Sequence, residues 1–302
     1  MSSVLQTYSI TKQYGKVTAV DHVSIHLEQG DIYGLIGRNG AGKTTLMKMV
    51  SGITHPTSGS YSFFEEEDNQ KTISRVGCLI EQPALYPEMK VEDNLRFYDT
   101  LLGITDSRNI DELLEMVDLK EVRKKKTKQL SLGTKQRLGI AIALIGYPDV
   151  LILDEPINGL DPTGIVEVRN LLLKLNKERN MTLLISSHIL GELSRMATKY
   201  GIIDQGVLVE ELTHSELLEK TRQAVRIVYS DSRTIAVELD KMGFSEYKVL
   251  PDGQIMVYCD PSFCGKINAG LGKKGIYVDS ISVAGQDPET YFVGKMGGGV
   301  HE

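Results

Sequence analysis

Between Gly37 and Thr44 the chain reads Gly-Arg-Asn-Gly-Ala-Gly-Lys-Thr, a glycine-rich run closed by Lys43 and Thr44. This G-x-x-x-x-G-K-T spacing is that of a phosphate-binding loop. Glycines let the backbone fold so that successive N–H groups point inward as an anion nest. A helix opening directly after the loop adds partial positive charge. Lys43 suits the β- and γ-phosphates of a nucleotide, and the Thr44 hydroxyl suits Mg²⁺. A glycine turn before an ordinary helix would account for the glycines but not for the Lys-Thr pair placed after them.

Other candidate groups fall where apolar runs end. Residues 150–153, Val-Leu-Ile-Leu, lead into Asp154-Glu155-Pro156. Two adjacent carboxylates at the end of a buried strand are costly unless they pair or coordinate. Asp154 therefore suits Mg²⁺, as in a Walker B strand, and Glu155 can face a water. Residues 181–185 lead into Ser186-Ser187-His188, and residues 75–80 into Glu81-Gln82-Pro83. Pro83 keeps Gln82 extended, leaving its amide for Mg²⁺ or an attacking water; an ordinary loop glutamine is the bland alternative. Ser131-Leu132-Gly133-Thr134 opens an apolar helix, with Ser131 as its N-cap. Such a helix start is either an anion site or a plain cap. Asp161-Pro162 fits an N-cap and N1 pair. Tyr14, on an early turn, is a half-buried turn aromatic or a ring for adenine to stack on.

These groups need elements to position them. Alternation over residues 3–30 predicts a strand, a turn at Tyr14-Gly15, and a second strand through Val20, Val23 and Ile25. Residues 32–36 read as a strand feeding the glycine loop and residues 59–64 as a short strand. The acidic run 65–68 reads as a solvated hairpin tip. Helical periodicity runs from 92 to 122, broken at 105–108, and Arg123-Lys124-Lys125-Lys126 reads as a solvated basic stretch. Residues 201–209 read as a hairpin and 214–221 as a short helix. Beyond about Thr221 the pattern resets to β-α-β-β-α-β, the ferredoxin-like order, followed by a helix over 288–295. The hairpin in that half turns at Pro251-Asp252-Gly253. The glycine tail 297–299 reads as disordered.

A length of 302 residues suits two domains. The net charge of −6 argues against a globally basic nucleic-acid surface, so no nucleic acid is expected. No apolar run approaches the roughly 20 residues of a membrane helix. The first residues lack the basic and apolar regions of a secretory signal. Cys78, Cys259 and Cys264 show no zinc-ligand spacing and read as reduced structural thiols.

A P-loop, a Gln after a strand, a Ser-x-Gly helix start, an Asp-Glu strand end and a His strand end occur here in that order. The set resembles the nucleotide-binding subunit of an ATP-binding-cassette (ABC) transporter over roughly residues 4–220. The resemblance implies a P-loop α/β cassette with a mixed parallel core sheet, an antiparallel β subdomain and a helical subdomain at about 83–146. It places a nucleotide-binding domain at 1–221 and an accessory α/β domain at 222–302. It implies that ATP is held by Tyr14, Gly37, Arg38, Asn39, Gly40, Ala41, Gly42, Lys43, Thr44 and Thr45, and Mg²⁺ by Thr44, Gln82 and Asp154. Glu155 matches the general base, His188 the switch histidine and Asp161 the D-loop aspartate, with Lys43 and Gln82 also catalytic. Ser131, Gly133 and Thr134 match the signature that closes over the opposite subunit's γ-phosphate. The usual Leu-Ser-Gly-Gly-Gln carries Leu132 and Thr134 here, as in bacterial bacitracin-resistance and lantibiotic-immunity exporters. Those likenesses imply an ATPase acting as a head-to-tail dimer on a separate membrane permease, peripheral on the inner face of the cell membrane. The rival readings are a cytosolic ABC ATPase acting on a macromolecular complex and a P-loop small-molecule kinase. The first would bring long coiled coils or a second cassette, and only one G-x₄-G-K-T is present. The second would not need the Ser131, Asp154-Glu155 and His188 series.

Overall fold

The computed structural model describes residues 2–66, 69–103 and 108–297. The acidic run at Glu67 and Asp68, the helix break at 105–107 and the tail glycines Gly298 and Gly299 lie outside the described residues. The chain packs as two units, residues 1–214 with 295–302, and residues 215–294.

The first unit runs β1 (Ser3–Tyr14), β2 (Val17–Val23), β3 (His26–Glu28), β4 (Ile32–Ile36), α1 (Lys43–Val50), β5 (Ser58–Phe63), α2 (Asn69–Thr72), β6 (Val76–Leu79), α3 (Val91–Leu101), α4 (Arg108–Met116), α5 (Leu132–Ala143), β7 (Val150–Leu153), α6 (Pro162–Arg179), β8 (Thr182–Ser187), α7 (Leu190–Leu193), β9 (Lys199–Asp204) and β10 (Val207–Thr213). A six-stranded sheet takes the order β10-β9-β4-β8-β7-β6. Its strands are parallel except for the antiparallel β10 at one edge. Every residue of β4, β7 and β8 is buried, as expected of strands covered on both faces. The parallel register sets Ile36 beside Ser187, Leu153 beside Ile185, and Leu79 beside Leu153. The segments leaving β4, β6, β7 and β8 therefore emerge on one edge, the edge where parallel sheets bind ligands.

A second, antiparallel sheet joins β2-β1-β3, with β5 also on β1. The single strand expected through Val20, Val23 and Ile25 is two. The buried Thr7 hydroxyl donates to the Val23 carbonyl at 3.1 Å and accepts from the Ile25 N–H at 2.8 Å, taking the place of ladder bonds where the chain bends. Val20, Ile25, Leu46, Met47, Tyr33 and Ile152 share one core, so α1 is packed among both sheets. In the helical layer, Leu95, Leu113, Leu114 and Val117 are buried as their spacing predicts, but Leu101 and Leu102, read onto the same apolar face, are exposed at the end of α3. Arg123 is not simply solvated: it pairs with Glu92 at 2.9 Å and Asp111 at 2.8 Å, tying α3 to α4.

The second unit holds α8 (His214–Thr221) from Ser215 on, β11 (Ala224–Val228), α9 (Ser232–Lys241), β12 (Tyr247–Val249), β13 (Ile255–Val257), α10 (Cys264–Gly272), β14 (Ser280–Ala284) and α11 (Pro288–Met296) as far as Gly294. Its sheet is antiparallel in the order β12-β13-β11-β14, the ferredoxin-like arrangement. Val225, Ile227, Ile235, Leu239, Val257 and Ile267 form its core. Strand β14 begins at Ser280, not at Tyr277. Tyr277 is exposed, the turn at Gly275 has φ +75°, and pairing resumes only where the Asp279 N–H reaches the Val228 carbonyl. Among the described residues no helix is long and apolar enough to cross a membrane.

Candidate functional site

The glycine loop leaves the central strand β4 and ends where α1 begins. Gly42 caps α1 with φ +108°, a conformation that suits glycine. A Cβ at Gly42 would lie 2.5 Å from the Ala19 carbonyl, and one at Gly37 2.5 Å from the Ile203 carbonyl. Packing of the loop on its neighbours thus demands glycine at both places, beyond any need for a nest. Lys43 is buried, and its ammonium donates to the carbonyls of Gly37 at 2.7 Å and Arg38 at 3.2 Å. Its Nζ also lies 3.3 Å from Glu155 Oε1.

Glu155 follows β7 with φ +49°, an uncommon conformation for a residue with a side chain. Its other oxygen, Oε2, is 2.7 Å from His188 Nδ1 and accepts from the His188 N–H at 3.4 Å. One carboxylate therefore links the loop lysine to the histidine at the end of β8. Asp154, also buried, accepts from the Thr44 hydroxyl at 2.7 Å through Oδ2 and from the Ser186 hydroxyl at 2.6 Å through Oδ1. The Ser186 oxygen in turn accepts from the Glu155 N–H at 2.9 Å. Lys43, Thr44, Asp154, Glu155 and His188, picked out one at a time in the sequence, form a single polar network at the carboxyl edge of the sheet. Ser186 belongs to it and was not singled out. Its only sequence signal was a hydroxyl closing an apolar run one strand away from Asp154.

Thr44 and Asp154 offer adjacent hard oxygens, the donor set that Mg²⁺ takes alongside phosphates and water. Gln82 is exposed and lines a cleft of about 650 Å³ together with Glu81, Leu132, Asp154, Glu155 and Gly159. Glu81 pairs with Lys48 at 2.5 Å, and this hydrogen bond holds the Lys48 ammonium above its ordinary pKa. The chain after Gln82 is fixed by Asn94, which is fully buried. Asn94 accepts from the Tyr86 N–H at 2.8 Å and donates to Thr127 Oγ1 at 3.0 Å. That amide ties the Gln82 segment to the stretch leading into Ser131. Tyr14 is 51% exposed at the end of β1, with Lys12 Nζ 5.1 Å from its ring centroid.

Ser131 caps α5, accepting from the Thr134 N–H at 3.2 Å. Asp161 caps α6 by accepting from the Gly164 N–H at 3.1 Å, with Pro162 at the first helical position. Both caps line one groove of about 400 Å³, with Gly133, Thr134, Arg137 and Gly164. No P-loop residue lines that groove. The structure thus gathers the site residues into two groups, one around Lys43 and Glu155 and one around Ser131 and Asp161.

A family model described as "ABC transporter" matches residues 20–158. A second, described as "AAA domain, putative AbiEii toxin, Type IV TA system", matches residues 126–194. The chain is 42% identical to a bacitracin transport ATP-binding protein of Bacillus licheniformis, over 99% of each chain. It is 44% identical to a lantibiotic transport ATP-binding protein of Streptococcus pyogenes, over 72% of this chain and 95% of that one. Among solved structures, an ATP-binding subunit of an ABC transporter superposes with a TM-score of 0.63 at 26% identity, covering 72% of this chain and 92% of the other.

Proposed function

The chain belongs to the family of ABC-transporter ATP-binding subunits, which hydrolyse ATP to power transport, and from that premise we propose how its residues share the work. ATP lies along the P-loop, with backbone N–H groups of residues 37–45 and Lys43 on its phosphates and Tyr14 stacked on adenine. Thr44, Asp154 and Gln82 would hold Mg²⁺, which when bound would supply positive charge against the phosphates. Glu155 takes a proton from the water that attacks the γ-phosphate in line. His188, 2.7 Å from the Glu155 carboxylate, orients that base and the γ-phosphate. The products are ADP and inorganic phosphate.

The observation that carries this reading is the Glu155 carboxylate, held between Lys43 and His188 at the end of a fully buried strand. Ser131 supports the second half of the reading, because it faces a groove shared with Asp161 and no P-loop residue. A second copy placed head to tail would bring Ser131 and Gly133 of each subunit to the ATP of the other. Closing and opening of that pair drive a separate permease through the Gln82 cleft. This division assigns nucleotide binding to residues 1–221 and an accessory role to residues 222–302. The full-length likeness to bacitracin transport subunits favours export of an antimicrobial peptide or drug, at the inner face of the cell membrane. It sets aside the cytosolic, non-transport alternative.

Glu155→Gln tests the assignment. General-base catalysis contributes about 10²- to 10⁴-fold, so turnover falls by that factor while ATP binding persists and an ATP-dependent dimer accumulates in light scattering. Wild-type turnover in this variant would remove Glu155 from the role.

A further inference from the structure

The signature position usually held by glutamine is Thr134 here, and its side chain does something a glutamine at that place has no hydroxyl to do. Thr134 Oγ1 lies 2.8 Å from Ser131 Oγ. The Ser131 oxygen also accepts from the Thr134 N–H at 3.2 Å. A serine hydroxyl has two acceptor lone pairs and one proton to donate. The Thr134 N–H fills one lone pair. The direction of the contact between the two hydroxyls then decides what Ser131 can offer to a ligand.

If Ser131 donates to Thr134, its only proton is spent, and it turns a lone pair toward any anion. If Thr134 donates to Ser131, both lone pairs are filled, and the Ser131 proton is left with nowhere to go but outward. Beside a phosphate oxygen only the second arrangement is attractive. Successive donation in one direction also polarises each bond in the chain. Ser131 is exposed and Thr134 partly buried, so Ser131 is the member of the pair that a ligand would meet.

We propose that Thr134 is a positioning residue that donates its hydroxyl proton to Ser131 and so fixes Ser131 as an outward donor to the γ-phosphate bound by the partner copy. This rests on the reading that Ser131 contacts a γ-phosphate in trans.

The test uses the full chain carrying Glu155→Gln, in which ATP-driven dimerisation is read by light scattering. Thr134→Val removes the hydroxyl at nearly constant shape. Each ATP in the dimer meets one such pair, so the ATP concentration for half-maximal dimer rises about fivefold, the worth of one net hydrogen bond. Thr134→Ser restores the wild-type value. ADP affinity moves less than about twofold, because ADP has no γ-phosphate, and this separates the role from a disturbed P-loop. Ser131→Ala weakens dimerisation, and adding Thr134→Val to it has no further effect. If Ser131→Ala weakens dimerisation but Thr134→Val does not, the positioning role is wrong and the trans contact stands. If Ser131→Ala has no effect, the trans contact itself is wrong, and the proposal falls with it. Should Thr134→Val not fold, Thr134→Ala carries the same comparison.

Discussion

Replacing Ser186 by alanine removes two bonds at once. The side chain is fully buried, donates to Asp154 Oδ1 at 2.6 Å and accepts from the Glu155 N–H at 2.9 Å. A hydrogen bond to a charged group is worth about 1.5–3 kcal/mol, and a buried donor left unpaired costs about 1–3 kcal/mol. The two effects overlap in one small region, so Ser186→Ala should lose about 2–4 kcal/mol, read as a lower urea midpoint by far-UV circular dichroism. Function should move separately. Groups that orient a metal-binding carboxylate typically change metal affinity by about 10- to 100-fold. The free Mg²⁺ needed for half-maximal ATPase should therefore rise by at least tenfold, with the ATP requirement at saturating Mg²⁺ changing much less. A midpoint change under about 0.5 kcal/mol together with an unmoved Mg²⁺ requirement would refute the claim that Ser186 holds the Asp154 carboxylate and the Glu155 backbone in place.

Gly42→Ala should abolish ATP binding measured by fluorescent nucleotide titration. Its φ is +108°, and a Cβ would lie 2.5 Å from the Ala19 carbonyl. Gly40→Ala, at φ +81° with nothing within 4 Å of a Cβ, should pay only a backbone cost of about 1–2 kcal/mol; equal behaviour of the two would show that packing does not decide. Burial pushes the Tyr200 hydroxyl up to about 12 and Tyr33 well above its ordinary value. The unfolded chain gives up these protons near pH 10 while the folded chain keeps them. This stabilising effect is complete below about pH 10 and is lost as pH rises toward 12. Urea midpoints that stay flat across that range, or phenolate absorbance in which all thirteen tyrosines titrate near pH 10, would contradict it.

Most of the fold was legible because its strands are extreme in composition. Val150–Leu153 is apolar throughout and reads as a covered strand, and the neighbouring β8 carries Leu183, Leu184 and Ile185 at its centre. The ferredoxin-like order of the second unit followed from element order and one clear turn at Pro251-Asp252-Gly253. The details that escaped the sequence are those set by long-range partners. The division of β2 from β3 depends on Thr7, a residue from another strand. Helix α8 reads as the close of the first half, yet Leu218 and Thr221 line a hollow with Gln286 and Pro288 and belong to the second unit. In the site, side chains at strand ends could be named from their positions. The bridging role of Ser186 could not, because it exists only once β7 and β8 are side by side. The same holds for Asn94, whose amide has no signal until Tyr86 and Thr127 surround it.

The central claim is that each ATP is held by the P-loop of one copy and capped by the signature of another. The most direct measurement is a crystal structure of the full-length Glu155→Gln variant with ATP and Mg²⁺. The γ-phosphate beside Lys43 of one copy should lie within hydrogen-bonding distance, about 2.5–3.0 Å, of Ser131 Oγ of the other. A closed, ATP-loaded assembly in which no Ser131 approaches any γ-phosphate would contradict it.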